Sequence, residues 1–367
     1  MKKPPMRECL QLIKPYQPGK PIEEVERELG LTGVIKMASN ENPLGPSPKA
    51  VQALRGRLES LHYYPDGSGY YLKSALAEKL KVKPEQLIFG NGSDEILSFL
   101  TLVYMDAEDE AIMATPSFSE YDFAVRLMGA DPVKIPLAGP GFDYDLDAIL
   151  GAVNAKTRLV FICSPNNPTG SVVSKEALDR LVRELPDDVI LVLDQAYCEY
   201  MDNPAETSGY DYLEAGLPVI MLRTFSKIYG LAGLRIGYGI GPEEIIADLN
   251  RVREPFNVNS MAQAAAIAAI EDDEHLERSR ALVLKGRQQL GEGFAALGLK
   301  AVPDQANFCF VDTGKDSRKV FEAMLRKGVI VRTGDIFGHP TFIRVTYGTE
   351  EQNSRFLKAL EEVLAAL

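Results

Sequence analysis

Four short apolar runs in this chain end on polar residues able to do chemistry. Leu87–Phe89 leads into Gly90-Asn-Gly-Ser-Asp-Glu95, Arg158–Cys163 into Ser164-Pro-Asn-Asn-Pro-Thr-Gly170, Val189–Leu193 into Asp194-Gln-Ala-Tyr197, and Pro218–Arg223 into Thr224-Phe-Ser-Lys227. Asp194 closes an apolar strand, so its carboxylate is expected in partly desolvated surroundings, where a charge wants a cationic partner. Lys227 is followed by Gly230, Gly233 and Arg235. Desolvation beside another cation lowers an amine's pKa and frees the lone pair for Schiff-base formation. The commoner fate of a single lysine is a solvated loop. At Gly90–Glu95, glycines before Ser93 and Asp94 at a helix start let several N–H groups approach an anion. The same residues suit a plain helix cap. A dinucleotide fingerprint fits worse, because Glu95 stands where its third glycine belongs, and Pro242 stands there after Gly237-x-Gly239.

The elements that must position these residues are legible as alternation. Short β-branched runs alternate with helical patterns at Ser93–Met105, Phe118–Met128 and Ser174–Glu184, which argues for parallel strands in a layered α/β sheet. After Gly241 the pattern turns helical over Glu243–Arg253, Met261–Glu271 and Asp273–Leu297. Short strand candidates follow at Asn307–Val311, Gly328–Arg332 and Thr341–Thr346, with a closing helix from Glu350. The expected division is an N-terminal arm over 1–45 packing on the small domain, a large domain over 46–245 and a small α+β domain over 246–367. Ligands in open α/β sheets bind outside the carboxyl ends of strands, and the four polar motifs lie there.

Composition bounds the function classes. At 367 residues the chain can bury a sizeable core, and 40 Lys+Arg against 52 Asp+Glu give a net charge of -12, spread along the chain. That balance suggests neither a nucleic-acid patch nor an anionic-membrane anchor, so any phosphate site must be local. No run approaches the roughly 18 apolar residues of a membrane span, and the N-terminus has no signal-peptide core, so a soluble cytoplasmic protein is expected. The four cysteines lie far apart and the three histidines have no ligand spacing, which points away from disulfides and metal.

Together, a lysine, a carboxylate, an anion cup, an arginine, hydroxyls and an asparagine turn meet on one rim. Pyridoxal 5'-phosphate asks for this set: an amine to join it, a carboxylate to keep its ring nitrogen protonated, donors to its ring oxygen and a phosphate cup. The chain also resembles the fold-type I pyridoxal-phosphate aminotransferases, and more narrowly the histidinol-phosphate aminotransferases. The similarity covers nearly the whole chain. It rests on Ser39-Asn-Glu-Asn-Pro-Leu-Gly45, Tyr64-Pro-Asp66, Asn91-Gly-Ser-Asp-Glu95, Ser164–Gly170, Asp194–Tyr197, Arg223–Lys227, Gly230–Arg235, Pro255-Phe-Asn-Val-Asn259 and Ile343-Arg-Val-Thr-Tyr-Gly-Thr349.

The resemblance implies an α/β fold with a mostly parallel seven-stranded sheet between helices, plus a smaller α+β domain. It implies that Lys227 holds the cofactor and then carries the substrate's α proton, and that Asp194 pairs with the pyridine nitrogen. Asn167 and Tyr197 are implied at the ring oxygen. Gly92, Ser93, Asp94, Thr224, Ser226 and Arg235 are implied at the phosphate, Phe118 on the ring face, and Tyr64 at the phosphate of the neighbouring subunit of a homodimer. Arg344 is implied at the substrate α-carboxylate in a bidentate fork. Tyr16, Arg332 and Asn42 are the remaining substrate-binding candidates. Many relatives have Glu at Gln195, but neighbours on a strand point to opposite faces, so the Asp194 contact should survive.

The activity implied is transamination between L-glutamate and imidazole acetol phosphate, giving L-histidinol phosphate and 2-oxoglutarate in histidine biosynthesis. An aromatic amino-acid aminotransferase shares every cofactor residue and differs in the pocket. A phosphothreonine decarboxylase is a second alternative, against which Gly230–Arg235 is evidence. A non-catalytic ligand-binding protein on the same fold is a third. Such regulators usually add a DNA-binding domain, and about 35 residues precede the first motif here.

Overall fold

The computed structural model describes residues 4–13 and 19–367. Its largest sheet has seven strands in the order Leu87–Gly90, Gly237–Ile240, Val219–Thr224, Ile190–Asp194, Thr157–Cys163, Glu110–Thr115 and Asp131–Pro136. Gly237–Ile240 alone runs against the direction of the other six strands. The apolar runs form central strands because both faces are covered, so every residue of Ile190–Asp194 is buried. Period-two alternation divides them: Leu191 and Leu193 join one core cluster, Ile190 and Val192 the other.

Two strands of this sheet were not expected from the sequence. Asp131–Pro136 lies at the sheet edge, contains two prolines and is half exposed, so it lacks the apolar signature of the centre. Gly237–Ile240 is glycine-rich for a steric reason. A Cβ on Gly237 would lie 2.5 Å from the backbone nitrogen of Ser93, so this strand passes directly against the start of helix Ser93–Tyr104.

A second, four-stranded antiparallel sheet runs in the order Arg332–Thr333, Phe342–Thr346, Phe308–Asp312, Lys300–Ala301. Helices Asp273–Ala296 and Glu350–Ala366 pack on one another beside it. The latter begins with a capping box in which Thr349 and Gln352 satisfy each other's backbone N–H. Near the N-terminus, Ile35–Lys36 pairs in parallel with Val329–Ile330, and Met37 exchanges backbone hydrogen bonds with Ile330 and Thr346. Helix Ser260–Ile270 packs against helices Pro48–Arg55 and Tyr70–Leu80. Its Asn259 caps the first turn by accepting from the N–H of Ala262.

Candidate active site

The carboxyl ends of the parallel strands open into a cavity of about 820 Å³. Asp194 ends strand Ile190–Asp194, Asn167 follows Thr157–Cys163, Thr224 ends Val219–Thr224, and Ser226 and Lys227 follow it. All five line the cavity, so sheet topology alone gathers residues far apart in sequence.

Lys227 Nζ donates to Ser39 O at 3.2 Å and lies 5.7 Å from the Tyr197 ring centroid. Desolvation and the Arg344 guanidinium bring its pKa down to about 8. Asp194 is moved the other way. Burial pushes its carboxyl up to about 6 even though the Tyr121 hydroxyl and the Ala196 N–H both donate to it. A site that lowers an amine and raises a carboxyl favours a neutral nucleophile and a carboxylate awaiting a cationic partner.

The turn before helix Ser93–Tyr104 forms the cup. Gly92 has φ +78°, and a Cβ there would lie 2.6 Å from Arg235 Nη2, so only glycine lets the guanidinium come down onto the helix start. Arg235 Nη2 meets Asp94 Oδ2 at 3.2 Å. Burial raises the Asp94 carboxyl against the pull of Arg235. Ser93, Asp94, Thr224, Ser226 and Arg235 all line this part of the cavity. Donors on a glycine turn, three hydroxyls and a guanidinium are the chemistry of a phosphate site.

Across the cavity, Arg344 and Arg332 are register partners on adjacent antiparallel strands, and both line the wall. The Arg344 guanidinium donates to Asn167 Oδ1 and, at 2.7 Å, to Ala38 O. It also lies 5.3 Å from the Phe308 ring centroid and 5.7 Å from that of Phe337. These contacts leave a buried arginine held in one orientation, as bidentate recognition of a carboxylate requires. Tyr197 accepts from Asn40 Nδ2 at 3.1 Å. Phe118 forms the wall beside Asp194 and meets Tyr121 edge-on at 5.6 Å.

Three expected residues are not in this gathering. Asn42 is buried outside the cavity lining, where its amide donates to Ile228 O and Ser279 Oγ, both at 2.8 Å, and its Oδ1 accepts from Leu44 N. These bonds use the side chain to fix the chain itself. Tyr64 is 83% exposed, stacks on Phe256 at 4.9 Å and is not part of the cavity lining. Tyr16 lies outside the described residues. Gln195 points away from the cavity as alternation required, donating to Thr207 O and accepting from Arg223 Nε.

Sequence reasoning missed Tyr121 and Asn40. Tyr121 lies one helical turn past Phe118, a spacing that could have flagged it as sharing that residue's face. Asn40 lies in the Ser39–Gly45 motif but bonds to Thr346 and Tyr197, partners no local pattern reveals.

The donor set fits pyridoxal 5'-phosphate on the structure's own terms: a Cβ-intolerant cradle, a buried carboxylate and a depressed amine face one cavity. The four cysteines are free thiols. Among the described residues no helix is long and apolar enough to cross a membrane.

Comparison with known proteins agrees with this geometry. Residues 32–360 match the family described as aminotransferase class I and II. A histidinol-phosphate aminotransferase of Moorella thermoacetica is 56% identical over 99% of this chain and 94% of its own length. That of Caldicellulosiruptor saccharolyticus is 49% identical over 98% and 99%. In structure, the histidinol-phosphate aminotransferase of Sinorhizobium meliloti in complex with pyridoxal-5'-phosphate superposes with a TM-score of 0.89 at 29% identity, covering 98% of each chain. With its cavity built on the strand ends and similarity running nearly end to end, the chain belongs to the class I and II aminotransferase family.

Proposed function

We propose that this protein is a pyridoxal-phosphate-dependent histidinol-phosphate aminotransferase, transferring an amino group between L-histidinol phosphate and 2-oxoglutarate in histidine biosynthesis. The observation that carries the reading is the position of Lys227, an amine with a pKa near 8 set between Asp194 and Arg344 in one cavity. The substrate comes from the relatives' names. The bound cofactor supplies an electron sink for the pair left when the substrate's α C–H bond breaks.

The protein's own residues do the rest. Lys227 would anchor the cofactor through its amine, and the same amine, when free, would carry the proton removed from the substrate α carbon. Asp194 would keep the ring nitrogen protonated, Asn167 and Tyr197 would hold the ring oxygen, and Phe118 would pack against the ring. The Gly92–Asp94 turn, Thr224, Ser226 and Arg235 would hold the phosphate. Arg344 grips the carboxylate of glutamate, with Arg332 at the far end for the second anionic group; Tyr16 is a further candidate there. Two guanidiniums on neighbouring strands suit the two carboxylates of glutamate and, in turn, the dianionic phosphate of L-histidinol phosphate, which carries no carboxylate.

The active unit in this reading is a homodimer in which Tyr64 reaches the partner's phosphate cup. Leu58, Leu61, Tyr63, Tyr64, Tyr70 and Tyr71 are each more than half exposed, an apolar face that a second copy would cover. The larger sheet, with residues 46–245, acts as the cofactor domain, and 246–367 as a smaller domain bearing Arg344. Free thiols support a cytoplasmic setting. The test is borohydride treatment of protein reconstituted with pyridoxal phosphate: a yellow protein that bleaches with the label on the Lys227 peptide is expected. A colourless reconstituted wild type would overturn the assignment.

A further inference from the structure

Outside the cavity, the chain buries a second charged group that the reaction does not use. Asp304 lies between strands Lys300–Ala301 and Phe308–Asp312, with its side chain only 4% exposed. A carboxylate in such a place is costly unless both oxygens are used. Here Oδ2 accepts from the Tyr347 hydroxyl at 2.5 Å, while Oδ1 makes no hydrogen bond and is offset by the charge of Arg287, whose Nε lies 3.4 Å away. Arg287 reaches on to Asp202 at 3.3 Å, which Gln305 Nε2 also meets at 3.0 Å.

Each arm of this cluster leads to a segment that lines the cavity. Gly170 ends the turn containing Asn167, closed by Gly170 N–H donating to Asn166 O at 2.7 Å. A Cβ on Gly170 would lie 2.3 Å from the Asp304 Cβ, and Gln305 N–H donates to Gly170 O at 2.9 Å, so the Asp304 loop rests directly on that turn. Tyr347 is three residues past Arg344 and donates its N–H to Asn307 O at 3.0 Å. Asp202 lies five residues past Tyr197. The cluster therefore joins the segments that carry Asn167, Arg344 and Tyr197, and its bonds are directional where apolar packing is not.

We propose that Asp304 is a positioning residue for the substrate carboxylate site, which with Tyr347 locks the Arg344 strand against the Asn167 turn. This rests on the reading of Arg344 as the carboxylate-binding arginine. The Arg344–Asn167 bond fixes the direction of the guanidinium, and it survives only while strand and turn keep their spacing.

The test uses the dimeric holoenzyme with Tyr347→Phe, which keeps the ring, and Asp304→Ala. Binding of 2-oxoglutarate to the pyridoxal form, unreactive without an amino group to transfer, is measured by calorimetry alongside KM and kcat for both substrates. A loosened site should weaken 2-oxoglutarate binding and raise the glutamate KM roughly tenfold, with kcat and cofactor affinity within about twofold of wild type. The double variant should be no worse than the poorer single one. Unchanged binding and KM in Tyr347→Phe, with both weakened in Arg344→Ala, would overturn the role of Asp304. Unchanged binding in Arg344→Ala would overturn instead the reading beneath it.

Discussion

Tyr121 donates its phenolic hydrogen to Oδ2 of Asp194 across 2.6 Å, with both side chains buried. The Tyr121 ring stacks on Phe161 at 4.8 Å and supports Phe118 edge-on, so one residue fixes both the carboxylate and the neighbouring aromatic wall. The bond opposes the burial that pushes Asp194 toward its neutral form.

Tyr121→Phe keeps the stacking and removes the donor. Hydrogen bonds to charged groups contribute about 1.5–3 kcal/mol, so kcat/KM should fall roughly tenfold or more. Without the donor Asp194 holds its proton to higher pH, so the acidic limb of the pH–rate profile should move upward. A pH–rate profile superimposable on wild type would refute the link.

The depressed amine makes a second prediction. Lys227 reacts as the free base, so the rate at which apoprotein takes up pyridoxal phosphate should rise with pH around a midpoint near 8. Arg344 is the main charge lowering that pKa, so Arg344→Ala should shift the midpoint upward. Stopped-flow absorbance over pH 6.5–9.5 reads both; a midpoint near the ordinary lysine value in wild type would contradict the electrostatic account.

Asp304 predicts a stability effect with a definite sign. Burial pushes its carboxyl from 3.8 up to about 7, so the folded chain binds the proton more tightly than the unfolded one. Its contribution is fully present below about pH 4 and is lost as pH rises toward 7, on the order of 4 kcal/mol at 1.36 per unit. Asp304→Asn should flatten the denaturant midpoint of the apoprotein between pH 4 and 7. A curve with the wild-type slope would locate the proton elsewhere.

If Tyr64 acts on the partner's site, Tyr64→Ala and Lys227→Ala complement each other. A hybrid dimer has one site with Lys227 from one chain and Tyr64 from the other, so mixing two weakly active variants should restore up to about half the wild-type activity per dimer. Tyr64 working within its own chain would leave the mixture inactive.

The layered sheet and the strand-end residues were legible because apolar runs, turn residues and chemistry all fall in local order. Lys227 and Asp194 followed from the rule that strand ends face one rim, whereas the roles of Asn167 and Arg235 came from the family resemblance. The helical spacing from Phe118 could have pointed to the face Tyr121 shares, but not to its bond with Asp194, 73 residues away. Asn42 misled because a polar residue in a motif reads alike whether it meets a ligand or, as here, ties Ile228 and Ser279. Strand Gly237–Ile240 escaped notice because its glycines serve the close approach to Ser93, and that packing is invisible in the sequence.

The central claim is the substrate, and the most direct measurement is the half-reaction of the yellow holoenzyme with single amino donors, followed by loss of the cofactor's visible absorbance. L-Histidinol phosphate, glutamate, aspartate, phenylalanine and tyrosine are compared by second-order rate constant. Histidinol phosphate should be fastest, with glutamate also productive. A higher rate constant for phenylalanine or tyrosine than for histidinol phosphate would contradict the assignment and leave an aromatic amino-acid aminotransferase in its place.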